Sequence, residues 1–302
     1  MSWVLLSLLA PMLFGTASLV DDYMSRQPFK NKAFLYVFAG GIFLLVPAMV
    51  IYVLHPEARV VPLGDALKMV GMGAVMMTSF ISLYIFSIQR SGAAIVVPVL
   101  QTIPAFVFLG GYLFMGETVS AGNLAACVAI MLAAVAITWD FNTRVINIGS
   151  LALMIAASFG IAGYMLCARF FTEVYDPYII LAHVWSGFGG VCLVMMLIMR
   201  SWTADLLQMV AREPKTILSG LVAQAVCQTF GELCLVHALQ RAPAAGLVQT
   251  ISGIQPAYIL LFFVLAGYLI PSVYDRVLFD RVLAWKAGCI IILFAGVAAI
   301  SL

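Results

Sequence analysis

The chain has 302 residues, of which 64% are hydrophobic and 9% are charged, and its formal net charge is +2. A soluble domain carries about 25% charged residues, so this composition excludes a soluble globular protein and indicates a chain that is solvated by lipid. The net charge is small and the basic residues are scattered along the sequence, which gives no support for nucleic-acid binding.

Ten apolar segments follow one another, and each is close to the roughly 20 residues that a helix needs to cross a bilayer. None alternates apolar and polar residues with the period of two that indicates a β-strand. The first has no basic residue before it and no cleavage motif, so we predict a retained helix rather than a signal peptide. The sequence predicts an all-α membrane protein with ten transmembrane helices, at approximately residues 3–20, 33–54, 66–88, 93–115, 119–138, 149–171, 178–199, 216–239, 244–269 and 284–301.

One stretch of the first half recurs in the second half. Ile88 to Glu117 reads IQRSGAAIVVPVLQTIPAFVFLGGYLFMGE, and the segment from Leu239 reads LQRAPAAGLVQTISGIQPAYILLFFVLAGY, at an offset of about 151 residues. Such self-similarity predicts an internal duplication: a first five-helix repeat at 1–140, a linker at 141–148 and a second five-helix repeat at 149–302. Five spans is an odd number, so the second repeat is predicted to be inverted relative to the first, an arrangement typical of secondary transporters.

The duplicated stretch also resembles a known family. A small polar turn, two alanines, a proline-broken helix and the closing Gly116-Glu117 resemble the EamA repeat of the drug/metabolite transporter superfamily, and the opening LAPMLFG from Leu9 is similar to the start of that family. The second copy differs, since Gly267-Tyr268 stands where the first has Gly-Glu. The resemblance implies a multi-pass transporter, and it favours a bacterial inner membrane.

Lysine and arginine in short loops bear on orientation. The predicted spans place 11 of them on one side and 4 on the other, which would put both termini outside. The family resemblance implies termini inside, so the two arguments disagree.

Glu232 is the sharpest functional signal in the sequence, because it lies well inside an apolar segment. A carboxyl group at that depth is costly and usually faces a bundle interior or a water-filled pathway. Gln224 and Gln228 precede it at intervals of four and therefore share one face of the helix. We predict that all three bind substrate and that Glu232 also couples transport to protons. The alternative is a glutamate that holds helices together.

Further candidates come from the proline-broken helices and from aromatic side chains. Glutamine amides and carbonyls freed by proline can line a cavity, or they can bond across helices as packing contacts. The aromatic residues could form walls around a cation, or they could serve as packing and interfacial anchors. The candidates for substrate binding are Gln101, Gln249, Gln255, Phe14, Tyr84, Tyr164 and Trp185, and those for helix kinks are Pro11, Pro98, Pro104 and Pro256.

Other polar and small residues are predicted to have structural or surface roles. Asp21 and Asp22 follow the first predicted span and are interpreted as a solvated loop pair. Gly116-Glu117 is interpreted as architectural. An alanine stripe at Ala125, Ala129 and Ala133 allows close helix approach, either to the other half of the chain or to a second copy in a homodimer.

These features predict a secondary active transporter that moves a small metabolite by alternating access. The segments hold an acid and no clearly deep lysine or arginine, which favours an amine such as an amino acid, a quaternary amine or a polyamine over an anion. The alternative is a flippase for a polyprenyl- or lipid-linked group, with a basic pocket at Arg276, Arg281 and Lys286. We predict no enzymatic activity and no cofactor. We also predict no metal site, since the six cysteines lack metal-ligand spacing.

Overall fold

The computed structural model describes residues 2–91, 99–100, 102–138, 148–269 and 281–301, and within these ranges every regular element is a helix. Residues 141–147 of the predicted linker and the predicted residues Pro98, Gln101 and Arg276 lie outside them, and nothing is described of the Arg281 side chain. The α-helices are α1 (Trp3–Arg26), α2 (Ala33–Phe43), α3 (Leu45–Leu54), α4 (Leu63–Gly71), α5 (Thr78–Ser91), α6 (Ile103–Met115), α7 (Ala121–Thr138), α8 (Ile148–Phe171), α9 (Pro177–Ile198), α10 (Arg200–Arg212), α11 (Pro214–Arg241), α12 (Ala245–Ser252), α13 (Gln255–Leu269) and α14 (Arg281–Ser301).

The lengths and compositions of these helices confirm a multi-pass membrane protein. Within the described residues, seven helical stretches are long and apolar enough to cross a bilayer. Three shorter apolar helices, Ile103–Met115, Ala121–Ala136 and Trp285–Ile300, lie where the sequence predicts the fourth, fifth and tenth spans. The count of ten spans therefore stays a prediction.

Several predicted spans are built from two helical pieces. The span at 33–54 changes from α2 to α3 at Leu44, whose N–H bonds to the carbonyl of Gly41 at 3.1 Å. A π-helical turn at Met72–Met77 joins α4 to α5. The span at 244–269 is divided between α12 and α13 by a turn at Gly253 and Ile254. An interrupted helix leaves backbone N–H and C=O groups without intrahelical partners. At membrane depth such groups are tolerated only where they are buried in protein or line a cavity.

The π-helical turn packs closely on α9 through glycine. A Cβ placed at Gly73 would lie 1.8 Å from the carbonyl oxygen of Val184, and one at Gly187 would lie 2.0 Å from that of Val70. The two backbones can approach this closely because neither residue has a side chain.

Helices α1 and α11 form the most extensive helix contact of the structure. A Cβ added at Gly231 would lie 2.5 Å from Cε1 of Phe14, and one at Gly220 would lie 2.4 Å from Sδ of Met24. Numbers fall along α1 as they rise along α11, so the two helices run antiparallel in close contact. A position on one helix can therefore be aligned with its level on the other.

One end of the fold joins the two predicted repeats through Glu117. Gly116 ends α6 with φ of 66°, a left-handed conformation that glycine adopts without steric cost. Both carboxylate oxygens of Glu117 then accept hydrogen bonds from the backbone N–H of Ala245, at 3.2 and 3.0 Å, so this side chain caps the start of α12. Arg169 donates to Glu117 at 3.3 Å and also to the carbonyl of Leu239 at the end of α11. The architectural interpretation of Glu117 fits these contacts.

Candidate functional site

A cavity of about 160 Å³ lies between the helices of the two halves, and it brings most of the predicted site residues together. Eight of the ten predicted substrate-binding residues line it: Phe14, Tyr84, Tyr164, Gln224, Gln228, Glu232, Gln249 and Gln255. Gln101 lies outside the described residues. Trp185 is the tenth. It does not line the cavity, but its indole nitrogen donates a hydrogen bond to Glu232, which does.

Glu232 is almost fully buried, with 2% of its surface exposed. Its Oε2 accepts a hydrogen bond of 2.6 Å from Nε1 of Trp185, and its Oε1 accepts one of 2.8 Å from Nε2 of Gln228. The second bond lies within α11 and confirms that the spacing of four places these residues on one face. Both described partners are neutral donors, so they orient the carboxyl group without compensating its charge.

Asp21 also lines the cavity, and this corrects its interpretation as part of a solvated loop pair. Helix α1 continues to Arg26 rather than ending near residue 20, so Asp21 lies within the helix and is 8% exposed. The hydroxyl of Tyr36 on α2 donates a hydrogen bond of 2.5 Å to its Oδ1. Two adjacent acids are typical of the end of a span, but here the helix continues for four residues beyond Asp22.

The polar residues of α11 connect the levels of the two carboxyl groups. Because α1 and α11 are antiparallel, Glu232 lies near the level of Phe14, and Asp21 lies near the level of Gln224. Gln228 is halfway between them on the same face of α11. We refer to Glu232, Gln228, Gln224 and Asp21 as the polar track.

The remaining walls are aromatic or come from the interrupted helices. Tyr164 is 1% exposed, and its hydroxyl has no hydrogen-bond partner among the described residues. The side-chain oxygen of Gln249 is also without a partner there. Nε2 of Gln255, at the start of α13, donates to the hydroxyl of Ser18 on α1 at 3.2 Å. The cavity thus offers unused polar atoms beside apolar surface, as ligand pockets commonly do.

The predicted helix kinks occupy two kinds of position. Pro104 and Pro256 are each the second residue of a helix, α6 and α13, where proline removes no intrahelical hydrogen bond. They therefore restart a helix after an interruption. Helix α1 continues through Pro11 without a break, and Pro98 lies outside the described residues.

Two features of the described cavity lining limit the chemistry of a ligand. It contains two carboxyl groups and no lysine or arginine. In the described part of the chain, no group of three His, Cys, Asp or Glu residues is arranged to hold a metal ion. The site is therefore acidic, aromatic and amide-rich.

Comparison with known proteins identifies the class of the chain. Residues 1–139 match the model of the EamA-like transporter family, which places the protein in the drug/metabolite transporter superfamily. One solved structure, described as "Crystal structure of protein", matches with a TM-score of 0.72 at 14% sequence identity, over 98% of this chain and 95% of the other. No curated protein matches the chain. The resemblance to EamA transporters is confirmed, and the solved structure shows a shared fold.

Proposed function

We propose that the chain is a secondary transporter built from two inverted repeats, 1–140 and 149–302, joined by the linker 141–148. The pattern of helix contacts supports this arrangement. Helix α1 packs on α11, and the corresponding helix of the second half, α8, packs on α5; α6 packs on α8 as α13 packs on α1. If each helix is replaced by its counterpart in the other half, the contacts of α2 and α3 with α9, and that of α7 with α14, map onto themselves. The family match ends at residue 139, next to the proposed boundary.

The proposed substrate is a small amine-bearing metabolite, and the proposed site is the cavity at Glu232. The observation that carries this proposal is a buried carboxyl group held by neutral donors in a cavity whose described lining has no basic residue. A cation can supply the missing charge, and the aromatic side chains of Phe14, Tyr84 and Tyr164 can contact an alkylammonium group. The two halves would rock about this site and expose it alternately to each side of the membrane.

We further propose that Glu232 couples transport to protons. A carboxyl group in this cavity can hold either a proton or an ammonium ion, so binding of one would release the other. Trp185, Gln228 and Tyr164 face Glu232 from three helices, and none of them carries a positive charge. Protonation of Glu232 would therefore remove the attraction that retains the substrate.

A flux experiment on the reconstituted protein tests the site and the coupling together. Liposomes that contain the protein and an internal pH indicator are exposed to amines, amino acids and anionic metabolites. We expect amine-dependent proton movement in wild type and in Glu173→Gln, which neutralises an exposed carboxylate outside the cavity, and none in Glu232→Gln. If amine flux through Glu232→Gln still moved protons, the proposed role of Glu232 in coupling would be wrong. If only anionic metabolites produced flux, the proposed substrate class would be wrong.

The flippase alternative has one structural feature to consider. A second, apolar groove of about 630 Å³ lies between the π-helical turn, α6 and α8, with Lys68 on its rim. None of its lining residues lines the Glu232 cavity, and Lys68 is 3.0 Å from Asp65. Of the predicted basic pocket at Arg276, Arg281 and Lys286, the side chains of the two arginines are not described, and Lys286 lines neither the Glu232 cavity nor this groove. We therefore favour the transporter of a soluble amine over the flippase.

A further inference from the structure

We infer that Asp21 forms a second cation site in the same cavity and that the substrate is a linear diamine whose two ammonium groups bind Asp21 and Glu232. This inference rests on the proposed amine transport and specifies its substrate class. It is carried by the placement of two buried carboxyl groups at opposite ends of the polar track. A transporter of monoamines would need only one of them.

The separation of the two carboxyl groups follows from the contact between α1 and α11. Glu232 is adjacent to Gly231, which packs against Phe14, and Phe14 is seven residues from Asp21 on α1. Seven residues of α-helix rise roughly 10 Å, at about 1.5 Å per residue. The carboxyl groups are therefore too far apart to share one cation and near enough for one small molecule to reach both.

Both ends of the track lack a charged partner among the described residues. Asp21 is bonded to the hydroxyl of Tyr36, and Glu232 to Trp185 and Gln228. No ion pair of the described residues includes either carboxyl group, although pairs form elsewhere, such as Lys32 with Asp205 at 2.7 Å. Two buried carboxylates without counter-ions match a ligand that carries two positive charges.

The space between the ends suits an alkyl chain with polar ends. Phe14, Phe80, Tyr84 and Ile81 contribute apolar surface to the cavity. The buried hydroxyl of Tyr164 has no described partner, and this hydroxyl can accept a hydrogen bond from an ammonium group near Glu232. With the side-chain oxygen of Gln249, it is one of two buried polar atoms in the wall that the described residues leave unused and that a bound amine could satisfy.

The separation also sets the length of the ligand. An ammonium nitrogen lies about 2.8 Å from a carboxylate oxygen, so two nitrogens placed between carboxylates roughly 10 Å apart are themselves about 5 to 10 Å apart. Extended putrescine and cadaverine have this span, and ethylenediamine is too short.

The test compares diamines with monoamines of equal chain length. Binding of ethylenediamine, putrescine, cadaverine, butylamine and pentylamine is measured by calorimetry on the purified full chain at fixed pH and ionic strength. In wild type we expect putrescine and cadaverine to bind at least tenfold more tightly than butylamine and pentylamine, and ethylenediamine to show no such gain. Asp21→Asn should abolish the gain, so that each diamine binds no more tightly than the monoamine of equal chain length, whereas Glu232→Gln should weaken both classes.

Two controls keep the outcome interpretable. Glu173→Gln should behave as wild type, and Asp21→Glu, which keeps the charge on a longer side chain, should keep the diamine gain and move it toward the shorter diamine. Equal affinities for diamines and monoamines in wild type, or equal losses of both in a folded Asp21→Asn, would overturn the second site while leaving amine transport intact. If no amine binds the folded wild type, the proposed function itself fails.

Discussion

The indole nitrogen of Trp185 lies 2.6 Å from Oε2 of Glu232 and donates a hydrogen bond to it across the interface between α9 and α11. Trp185 is completely buried and does not line the cavity. It therefore acts on the site through the carboxyl group, whose orientation it fixes together with Gln228.

Replacement of Trp185 by phenylalanine should weaken both the fold and the site. The change keeps an aromatic ring and removes the donor, so Glu232 loses one of its two described partners. Loss of a hydrogen bond to a carboxylate costs about 1.5 to 3 kcal/mol. We expect a lower Tm in detergent and weaker amine binding. Trp285→Phe is the matched control, because that indole is exposed and bonds to the carbonyl of Ala136. Equal effects of the two changes would refute the role of Trp185.

The hydroxyl of Tyr164 should matter for ligands and hardly at all for stability. It is buried without a described partner, so Tyr164→Phe removes no hydrogen bond to the described residues and should not lower the free energy of unfolding. The stabilisation that a bound amine confers should nevertheless decrease. Tyr36→Phe provides the contrast, since it removes the donor to Asp21 and should destabilise the empty protein by about 1 to 3 kcal/mol. Thermal unfolding with and without amine measures both.

Glycine at the crossing of α9 and the π-helical turn should be required for stability. Gly187→Ala would place a methyl group 2.0 Å from a backbone oxygen, whereas Gly190→Ala, on the same helix, has nothing within 4 Å of the added carbon. We expect the first change to destabilise the protein by about 1 to 3 kcal/mol or more and the second to be nearly neutral. Unfolding in detergent compares them, and similar Tm values would show that the helices can separate without cost.

Neutralising Glu117 should cost more than neutralising an exposed acid. Its side chain is 11% exposed and that of its partner Arg169 is 16% exposed, so solvent screens the pair little. Glu117→Gln weakens this pair and the cap on Ala245, and we expect a loss of about 1 to 3 kcal/mol. Asp205→Asn breaks the exposed pair with Lys32, which should cost less than about 1 kcal/mol. A larger effect at Asp205 would contradict the assignment of Glu117 as a structural link.

Much of the candidate site could be predicted from residue spacing. Gln224, Gln228 and Glu232 stand four apart in an apolar segment, and one helix face follows directly from that interval. Gln249 and Gln255 were selected because they lie in the duplicated stretch. Tyr84 and Tyr164 were predicted only as aromatic residues in spans, and both line the cavity that Glu232 also lines.

Asp21 and Tyr36 show what spacing alone could not reveal. Two adjacent acids after an apolar run resemble a loop, and spacing does not show that Tyr36 on another helix bonds to the first of them. A usable signal was present in the sequence, because Tyr23 and Met24 extend the apolar face beyond the acids. The interruption at Leu44 was not predicted, although Pro47, the third residue of α3, lacks the N–H that would bond to the carbonyl of Phe43. The π-helical turn was not predicted either, and there Gly73 and Gly187 let the backbone pack closely on α9. Helix α10 (Arg200–Arg212), which lies between the predicted spans 178–199 and 216–239, was not predicted.

The antiparallel contact between α1 and α11 places like charges on two helices that belong to different proposed repeats. When both carboxylates are ionised, they repel each other by about 1.7 kcal/mol at roughly 10 Å and an effective dielectric constant near 20. In the empty protein this repulsion opposes the approach of the two repeats. A bridging dication reverses its sign, so the cargo itself would supply the attraction that draws the halves together.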